Sequence, residues 1–209
     1  GGARAIVPWL RERWPLVCGM ALVALLVAAV GAHLRVIVLD EMVYKYAAAQ
    51  YVERFPHEFI DDRVSRGVAR LYALLLALPV WLLDGDAAVR AGRALNGVLW
   101  AATAVPTFCL ARRVVPARGW AAAAAVLAIA VPWLTVATIL FSEALAYLLF
   151  ACTALAIVRA LERPTPGRDL AVAALLAAAI LARVQFVALV PAWLALVAWA
   201  EWPDRRRPR

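Results

Sequence analysis

The sequence has little charge and almost no cysteine. Only 17% of its 209 residues are charged and 66% are hydrophobic, with a mean hydropathy of +0.81, whereas an average soluble domain is about a quarter charged. A single core of this size could not hide so much apolar surface from water, which excludes a soluble globular protein. The three cysteines, Cys18, Cys109 and Cys152, each lie in an apolar run without a second Cys or His at ligand spacing. Neither a disulfide framework nor a zinc site is therefore supported.

The chain also lacks the basic stripe on a polar helix face that nucleic-acid binding uses. Its net charge is +8, from 22 Lys and Arg against 14 Asp and Glu, but the basic residues come in short clusters between apolar runs. Such clusters orient membrane proteins, because Lys and Arg are retained in cytoplasmic loops. We therefore predict a polytopic membrane protein with no nucleic-acid partner. The chain begins Gly1-Gly2-Ala3 without Met, which we interpret as a processed or artificial end.

Apolar runs of spanning length divide the chain into membrane helices. A crossing needs about 20 apolar residues, and the candidate runs are 15–32, 89–111, 120–140, 144–158 and 170–200. The last run is interrupted at Arg183 and is long enough for two short crossings. The run 71–83 has only thirteen residues and contains Pro79, so it fits an interfacial or re-entrant helix better than a crossing. The pattern predicts an all-α polytopic membrane protein, a single module over 1–209 with about six transmembrane helices.

Loop charges orient these crossings. If 71–83 stays outside, three basic clusters join the N-terminal arginines in the cytoplasm: Arg112-Arg113-Arg118, Arg159-Arg163-Arg168 and Arg205-Arg206-Arg207-Arg209. If 71–83 crosses, the first two of these clusters move outside, against the usual bias. We therefore predict that both termini are cytoplasmic and that 40–88 forms an acidic outer loop.

This outer loop is predicted to contain two juxtamembrane helices. The first carries an apolar stripe at helical spacing, which is typical of an amphipathic helix on the outer leaflet. The members of the stripe are Tyr44, Ala47, Ala48, Tyr51, Val52 and Phe55. The second helix is predicted over 64–83 and is more apolar. The loop is thus interpreted as two surface helices rather than a soluble domain.

Ionisable side chains gather near the predicted outer boundary. They follow the first run, open the second, lie between the third and fourth, and interrupt the last: Arg35, Asp40 and Glu41; Arg90, Arg93 and Asn96; Ser142 and Glu143; Arg183 and Gln185. Charges near lipid are costly and usually functional, so their convergence predicts one outward-facing site. Asp40-Glu41 is the leading candidate. Arg90 and Arg93 fit lipid head groups equally well, and Glu143 fits a helix cap.

The order of these motifs resembles the GT-C glycosyltransferases, a superfamily that includes protein O-mannosyltransferases and the aminoarabinose transferases of lipid A. The resemblance covers about 35–199 and rests on Arg35-x4-Asp40-Glu41, the segment 71–79, Ala88-Val89-Arg90-x5-Asn96-Gly97, Ala111-Arg112-Arg113, Phe141-Ser142-Glu143 and Leu181-Ala182-Arg183. Members often carry His-Pro-Pro before the second surface helix, whereas this chain has Pro56-His57-Glu58. Members also continue through further helices, so the chain looks like an amino-terminal half or a short member.

The resemblance implies transfer of a sugar from a polyprenyl-phosphate donor to a glycan, lipid or protein acceptor, on the outer face of a bacterial plasma membrane. Asp40 and Glu41 would be the catalytic residues, with Asp40 as the base that deprotonates the acceptor hydroxyl. The substrate-binding candidates are Arg35, Tyr44, Lys45, Arg90, Arg93, Glu143, Arg183 and Gln185. Arg35, Lys45 or Arg183 would stabilise the leaving phosphate. A divalent cation would suit such a reaction, but no ligand motif supports a metal site.

Two alternatives stay open at this stage. Arg183 would hold the donor phosphate, or it would only pair with Glu143 and hold two helices together. The chain as a whole would be a transferase, or a non-catalytic membrane subunit or lipid-linked-sugar transporter, because broken short helices also occur in transporters. A transporter should carry charges near the bilayer midplane and an internal repeat. The charges here lie at one face and no convincing repeat is present, which disfavours a transporter but leaves a non-catalytic subunit open.

Overall fold

A computed structural model describes residues 3–34, 39–54, 69–130 and 137–201. Within these ranges all the regular structure is helical, so the all-α prediction is confirmed. The helices are α1 (Ala3–His33), α2 (Leu39–Arg54), α3 (Arg70–Leu82), α4 (Gly85–Ala102), α5 (Ala104–Val114), α6 (Arg118–Ala130), α7 (Glu143–Glu162), α8 (Pro166–Ala182) and α9 (Leu189–Glu201), with a 3-10 helix (Val184–Ala188) between the last two.

Within the described ranges, three helical segments are long and apolar enough to cross a bilayer: Trp14–His33, Gly85–Val114 and Glu143–Glu162. This is compatible with a helical membrane protein, but it is not the six spanning helices that the sequence predicts. The predicted run 120–140 is helical over Arg118–Ala130 but not at 138–140, while 131–136 lie outside the described residues; the run 170–200 is divided at Arg183. Apolar composition overestimates the length of a helix where backbone N–H and C=O groups form hydrogen bonds with side chains, because those groups are then not used to extend the helix.

One end of the bundle, called here the Arg93 end, gathers the end of α1 and the starts of α4 and α7. Arg93 in α4 donates through Nη1 to the carbonyl oxygens of Gly31 and Leu34, both at 2.8 Å. Arg183, directly after α8, pairs with Glu143 in the first turn of α7. The end of α8 therefore also lies at the Arg93 end.

The opposite end, called the Arg113 end, gathers the ends of α5 and α7 and the start of α8. Arg113 Nε donates to Glu162 Oε1 at 2.7 Å. Arg168 in α8 donates to the carbonyl oxygens of Arg159 and Arg163 at 2.9 and 2.8 Å. Both α4–α5 and α7 thus run from the Arg93 end to the Arg113 end. The segment between them, which carries α6, therefore connects the Arg113 end back to the Arg93 end.

Small residues let α1 and α4 pack closely. A Cβ on Gly97 would lie 3.0 Å from the carbonyl oxygen of Ala24 and 3.1 Å from Cβ of Val27. Such close approach is typical of helices that associate within membranes. Trp100, one turn further along α4, donates its indole N–H to the carbonyl oxygen of Ile129 at 2.7 Å. This bond joins α4 to α6 and completes the packing around α1.

Two helices, α2 and α3, lie at the positions of the predicted juxtamembrane helices, and they pack on each other. The buried members of the predicted stripe are Ala47, Ala48 and Tyr51, which cluster with residues of α3 such as Ala73. Val52 is exposed, and Phe55 and 64–68 lie outside the described residues. The stripe therefore faces α3 rather than lipid. Besides Val52, α2 leaves Met42, Val43 and Tyr46 exposed.

Candidate functional site

A buried ion pair joins the start of α2 to α4. Arg93 Nε and Nη2 each donate to one oxygen of Glu41 at 2.9 Å, and Glu41 Oε1 also accepts the backbone N–H of Leu140 at 2.9 Å. Glu41 is 1% exposed and Arg93 is 2% exposed. A bidentate Arg–carboxylate pair is directional as well as strong. It therefore fixes the first turn of α2 against α4 and the segment that precedes α7.

Glycines give Arg93 the room to reach these partners. A Cβ on Gly31 would lie 3.2 Å from Cβ of Arg93 and 3.2 Å from the carbonyl oxygen of Thr138. A Cβ on Gly92 would lie 2.8 Å from a methyl group of Leu140. Larger residues at either position would press the helices apart, so the close packing is part of the ion-pair site.

A second hydrogen-bonded group lies beside the ion pair. The Tyr72 hydroxyl donates to Asn96 Oδ1 at 2.9 Å, and Asn96 Nδ2 donates to the carbonyl oxygen of Ile139 at 2.6 Å. Burial raises the pKa of the Tyr72 phenol, so the hydroxyl stays protonated and can donate. Tyr44 donates to Ser142 Oγ at 3.1 Å, and its ring meets that of Tyr72 edge to face with centroids 4.9 Å apart. These contacts tie α2 and α3 to the segment before α7.

The Arg183–Glu143 ion pair lies on the α8 side of the same end. Glu143 occupies the first turn of α7, where the helix dipole favours a carboxylate. The Arg183 and Glu143 side chains are 35% and 37% exposed, unlike the enclosed Arg93 and Glu41. Among the described residues, Glu143 Oε2 has no hydrogen-bond partner. The pair is therefore partly accessible from the surface, and Glu143 Oε2 can accept a further hydrogen bond.

A polar cleft opens next to Arg93, between the end of α1 and the start of α4. It has a volume of about 430 Å³ and its polar lining residues are His33, Asp86, Arg90 and Arg93, a size near the lower part of the range for small-ligand sites. Asp86 and Arg90 are one turn apart on α4 and both are exposed. Because Glu41 neutralises Arg93, Arg90 is the guanidinium in this cleft that is not already committed to that carboxylate.

The structure brings together most of the predicted site residues that it describes. Those at the Arg93 end are Glu41, Tyr44, Arg90, Arg93, Glu143 and Arg183. Lys45 donates to the carbonyl oxygen of Gly85 at 3.4 Å, and Gln185 is exposed on the 3-10 helix. Asp40 lies in the first turn of α2, but its side chain and the whole of Arg35 lie outside the described part of the chain.

Three polar residues of the group have no predicted role. Asn96 and Ser142 are predicted to lie near the outer boundary without a binding role, and Tyr72 enters the prediction only as part of the segment 71–79. Asn96 follows Arg93 by three positions, which places both on one helix face; that spacing is a signal. Tyr72 stands in an apolar run that offers no such signal, so its contact with Asn96 is visible only in the structure.

Metal ligands are not clustered in the ranges that the structure describes. No group of three or more His, Cys, Asp or Glu side chains is arranged there to hold an ion.

Comparisons with known protein families, curated proteins and solved structures find no match for this chain.

Proposed function

We propose that the chain is a membrane-embedded glycosyltransferase of the GT-C type, which transfers a sugar from a polyprenyl-phosphate donor to an acceptor at the Arg93 end. The observation that carries the proposal is the Glu41–Arg93 pair, which joins the start of α2 to α4 and to the segment before α7. The start of α2 bears Asp40, and Glu143 and Arg183 lie at the same end. The reaction needs a carboxylate to accept a proton and cations to stabilise a phosphate. Both kinds of group belong to this end of the bundle.

Glu41 and Asp40 have different tasks in this proposal. Both oxygens of Glu41 accept hydrogen bonds from Arg93, so Glu41 cannot take a proton without breaking a buried pair. Glu41 therefore acts as a positioning residue that holds the first turn of α2. Asp40, its neighbour in that turn, is the base.

The transfer is an inverting displacement at the anomeric carbon. Asp40 takes the proton of the acceptor hydroxyl as its oxygen bonds to the anomeric carbon, and the bond from that carbon to the phosphate oxygen breaks. The polyprenyl phosphate leaves with the bonding electrons, and Arg90 or Arg183 stabilises its charge by charge-assisted hydrogen bonds. His33 and Asp86, which line the cleft with Arg90, are suited to hydrogen-bond sugar hydroxyls. The polyprenyl chain lies among the apolar helices.

The proposal includes six crossings of the membrane, with the Arg93 end outside. This topology is supported by the directions of α4–α5 and α7, which are the same. The segment between them, which carries α6, must therefore run back across the bundle, although α6 alone is short. Helix α8 likewise extends along α7 from the Arg168 contacts to the Arg183–Glu143 pair. The arginines at the Arg113 end favour the cytoplasm for that end. Helix α3 stays on the outer side.

Single cysteines test this topology, in a chain whose three native cysteines are changed to alanine. With six crossings, an impermeant maleimide applied to spheroplasts labels position 84 but not position 165, because Asp84 precedes α4 and Thr165 precedes α8. If only the three long segments cross, position 165 also becomes external. Labelling at 165 in intact spheroplasts, or none at 84 with full labelling after lysis, contradicts the proposed topology.

Substitutions of Arg183 test the proposed donor site. We expect Arg183→Ala to weaken binding of a polyprenyl-phosphate sugar by about tenfold or more, because a charge-assisted hydrogen bond to the phosphate is lost. Arg183→Lys should have an intermediate effect, since it keeps the charge but loses the planar fork. Arg113→Ala is the matched control, because it breaks an Arg–Glu pair at the opposite end and should leave donor binding unchanged.

A purely structural role for Arg183 predicts a different outcome. Arg183→Ala would then lower the melting temperature, the double change with Glu143→Ala would recover part of that loss, and donor binding to folded protein would be unaltered. Unaltered binding removes Arg183 from the donor site.

A further inference from the structure

The Arg113 end carries an apolar groove that the proposed reaction does not use. The groove has a volume of about 290 Å³ and lies between the first half of α1, the end of α5 and the start of α6. Its lining includes Leu16, Phe108, Arg118, Gly119, Ala122 and Val126. It is separate from the polar cleft at the Arg93 end, with which it shares no lining residue.

The open space comes from small side chains on α6. Ala122 lies one turn after Gly119, and a Cβ on Gly119 would meet no atom within 4 Å. Leu16 and Phe108 supply apolar walls from the neighbouring helices. The lining is apolar apart from Arg118 in the first turn of α6. A narrow apolar channel with one cation at its end matches an acyl chain that carries a phosphate.

The end of the bundle at which the groove lies is strongly positive. From α5 to α8, the helix termini at this end carry six arginines and two carboxylates: Arg112, Arg113, Arg118, Arg159, Arg163 and Arg168, with Glu162 and Asp169. Arg112 follows Phe108 by four positions, so it continues the helix face that lines the groove. Basic clusters beside membrane helices attract anionic lipid head groups.

Two exposed tryptophans flank the groove. Trp14 is 59% exposed and directly precedes Pro15, while Trp120 is 74% exposed and directly follows Gly119; Pro15 and Gly119 both line the groove. Tryptophan is enriched where membrane helices meet the head-group layer. These residues place the mouth of the groove at the depth of lipid phosphates.

We propose that this groove binds one acyl chain of an anionic phospholipid from the leaflet at the Arg113 end, with the lipid phosphate held near Arg118. A zwitterionic phospholipid fits less well, because its ammonium group is repelled by the arginines at this end of the bundle. The site binds a structural lipid and takes no part in sugar transfer, so the proposal for the groove does not depend on the proposed function.

Native mass spectrometry of the purified full chain tests the proposal, with palmitoyl-oleoyl phosphatidylglycerol and the corresponding phosphatidylcholine as probes. We expect tighter binding of phosphatidylglycerol. Ala122→Leu, which fills the groove, should weaken that binding about tenfold, as expected for the loss of two buried methylenes. Arg118→Gln should weaken it about fivefold, as expected for one interfacial charge.

Matched controls separate a site from general attraction. Ala124→Leu adds the same bulk on an exposed part of α6, and Arg163→Gln removes an exposed arginine elsewhere at the same end; both should bind phosphatidylglycerol within about twofold of the parent. The melting temperature shows whether each variant is folded. Equal binding of the two lipids, equal effects of Ala122→Leu and Ala124→Leu, or equal effects of Arg118→Gln and Arg163→Gln would each overturn the proposal.

Discussion

Replacing Arg93 with alanine is expected to lower the free energy of unfolding by about 3–5 kcal/mol, because the Glu41 carboxylate is left buried without its counter-charge. The same change removes the two hydrogen bonds from Arg93 to the carbonyl oxygens of Gly31 and Leu34. The contact between the end of α1, the start of α2 and α4 should loosen as a result. Thermal unfolding of the purified protein in detergent measures the loss.

The Arg113–Glu162 pair is the internal control for this prediction. It is also bidentate, with donor–acceptor distances of 2.7 and 3.2 Å, but both residues are exposed. Exposed pairs contribute little to stability, so Arg113→Ala should barely change the melting temperature. The double change Glu41→Leu with Arg93→Leu should recover part of the loss, since it removes both buried charges together. Equal losses in Arg93→Ala and Arg113→Ala would contradict the role assigned to the buried pair.

The largest effect on activity is expected from Asp40→Asn, which should lower kcat for sugar transfer by about 10²-fold or more. Asparagine keeps the size and hydrogen-bonding capacity of the side chain but cannot accept the proton. The melting temperature should stay at the parental value, because the Glu41–Arg93 pair that holds the first turn of α2 is untouched.

The neighbouring substitution provides the comparison. Glu41→Gln should lower the melting temperature and the turnover together, because it weakens the pair that positions α2. Unchanged turnover in folded Asp40→Asn protein would move the base elsewhere, with Glu41 as the first candidate. The contrast between adjacent residues separates a chemical role from a positioning role.

Much of this arrangement is predictable because it depends on local patterns. Apolar runs predict the helices, and helix α3 follows the thirteen-residue run around Pro79 closely. The grouping of Glu41, Arg93, Glu143 and Arg183 is predictable too, because successive helices that alternate in direction bring their ends together. The structure joins these residues as two ion pairs.

Other features depend on contacts between segments far apart in the chain. The sequence does not indicate that Glu41 is enclosed, because only the position of Arg93 in the fold shows it. The predicted helix 120–140 does not continue to its end, because Asn96 and Glu41 bond to the backbone of Ile139 and Leu140. Composition alone carries no information about such bonds.

The most direct test of the central claim is the fate of a polyprenyl-phosphate sugar in liposomes that contain the purified chain. Mass spectrometry follows the lipid, and a labelled sugar reports transfer to an added acceptor or to water. The account predicts release of polyprenyl phosphate with loss of the sugar in the parent protein, and at least about 10²-fold slower release with Asp40→Asn. An intact donor that only moves between leaflets, at the same rate in both proteins, would contradict the transferase and identify a transporter.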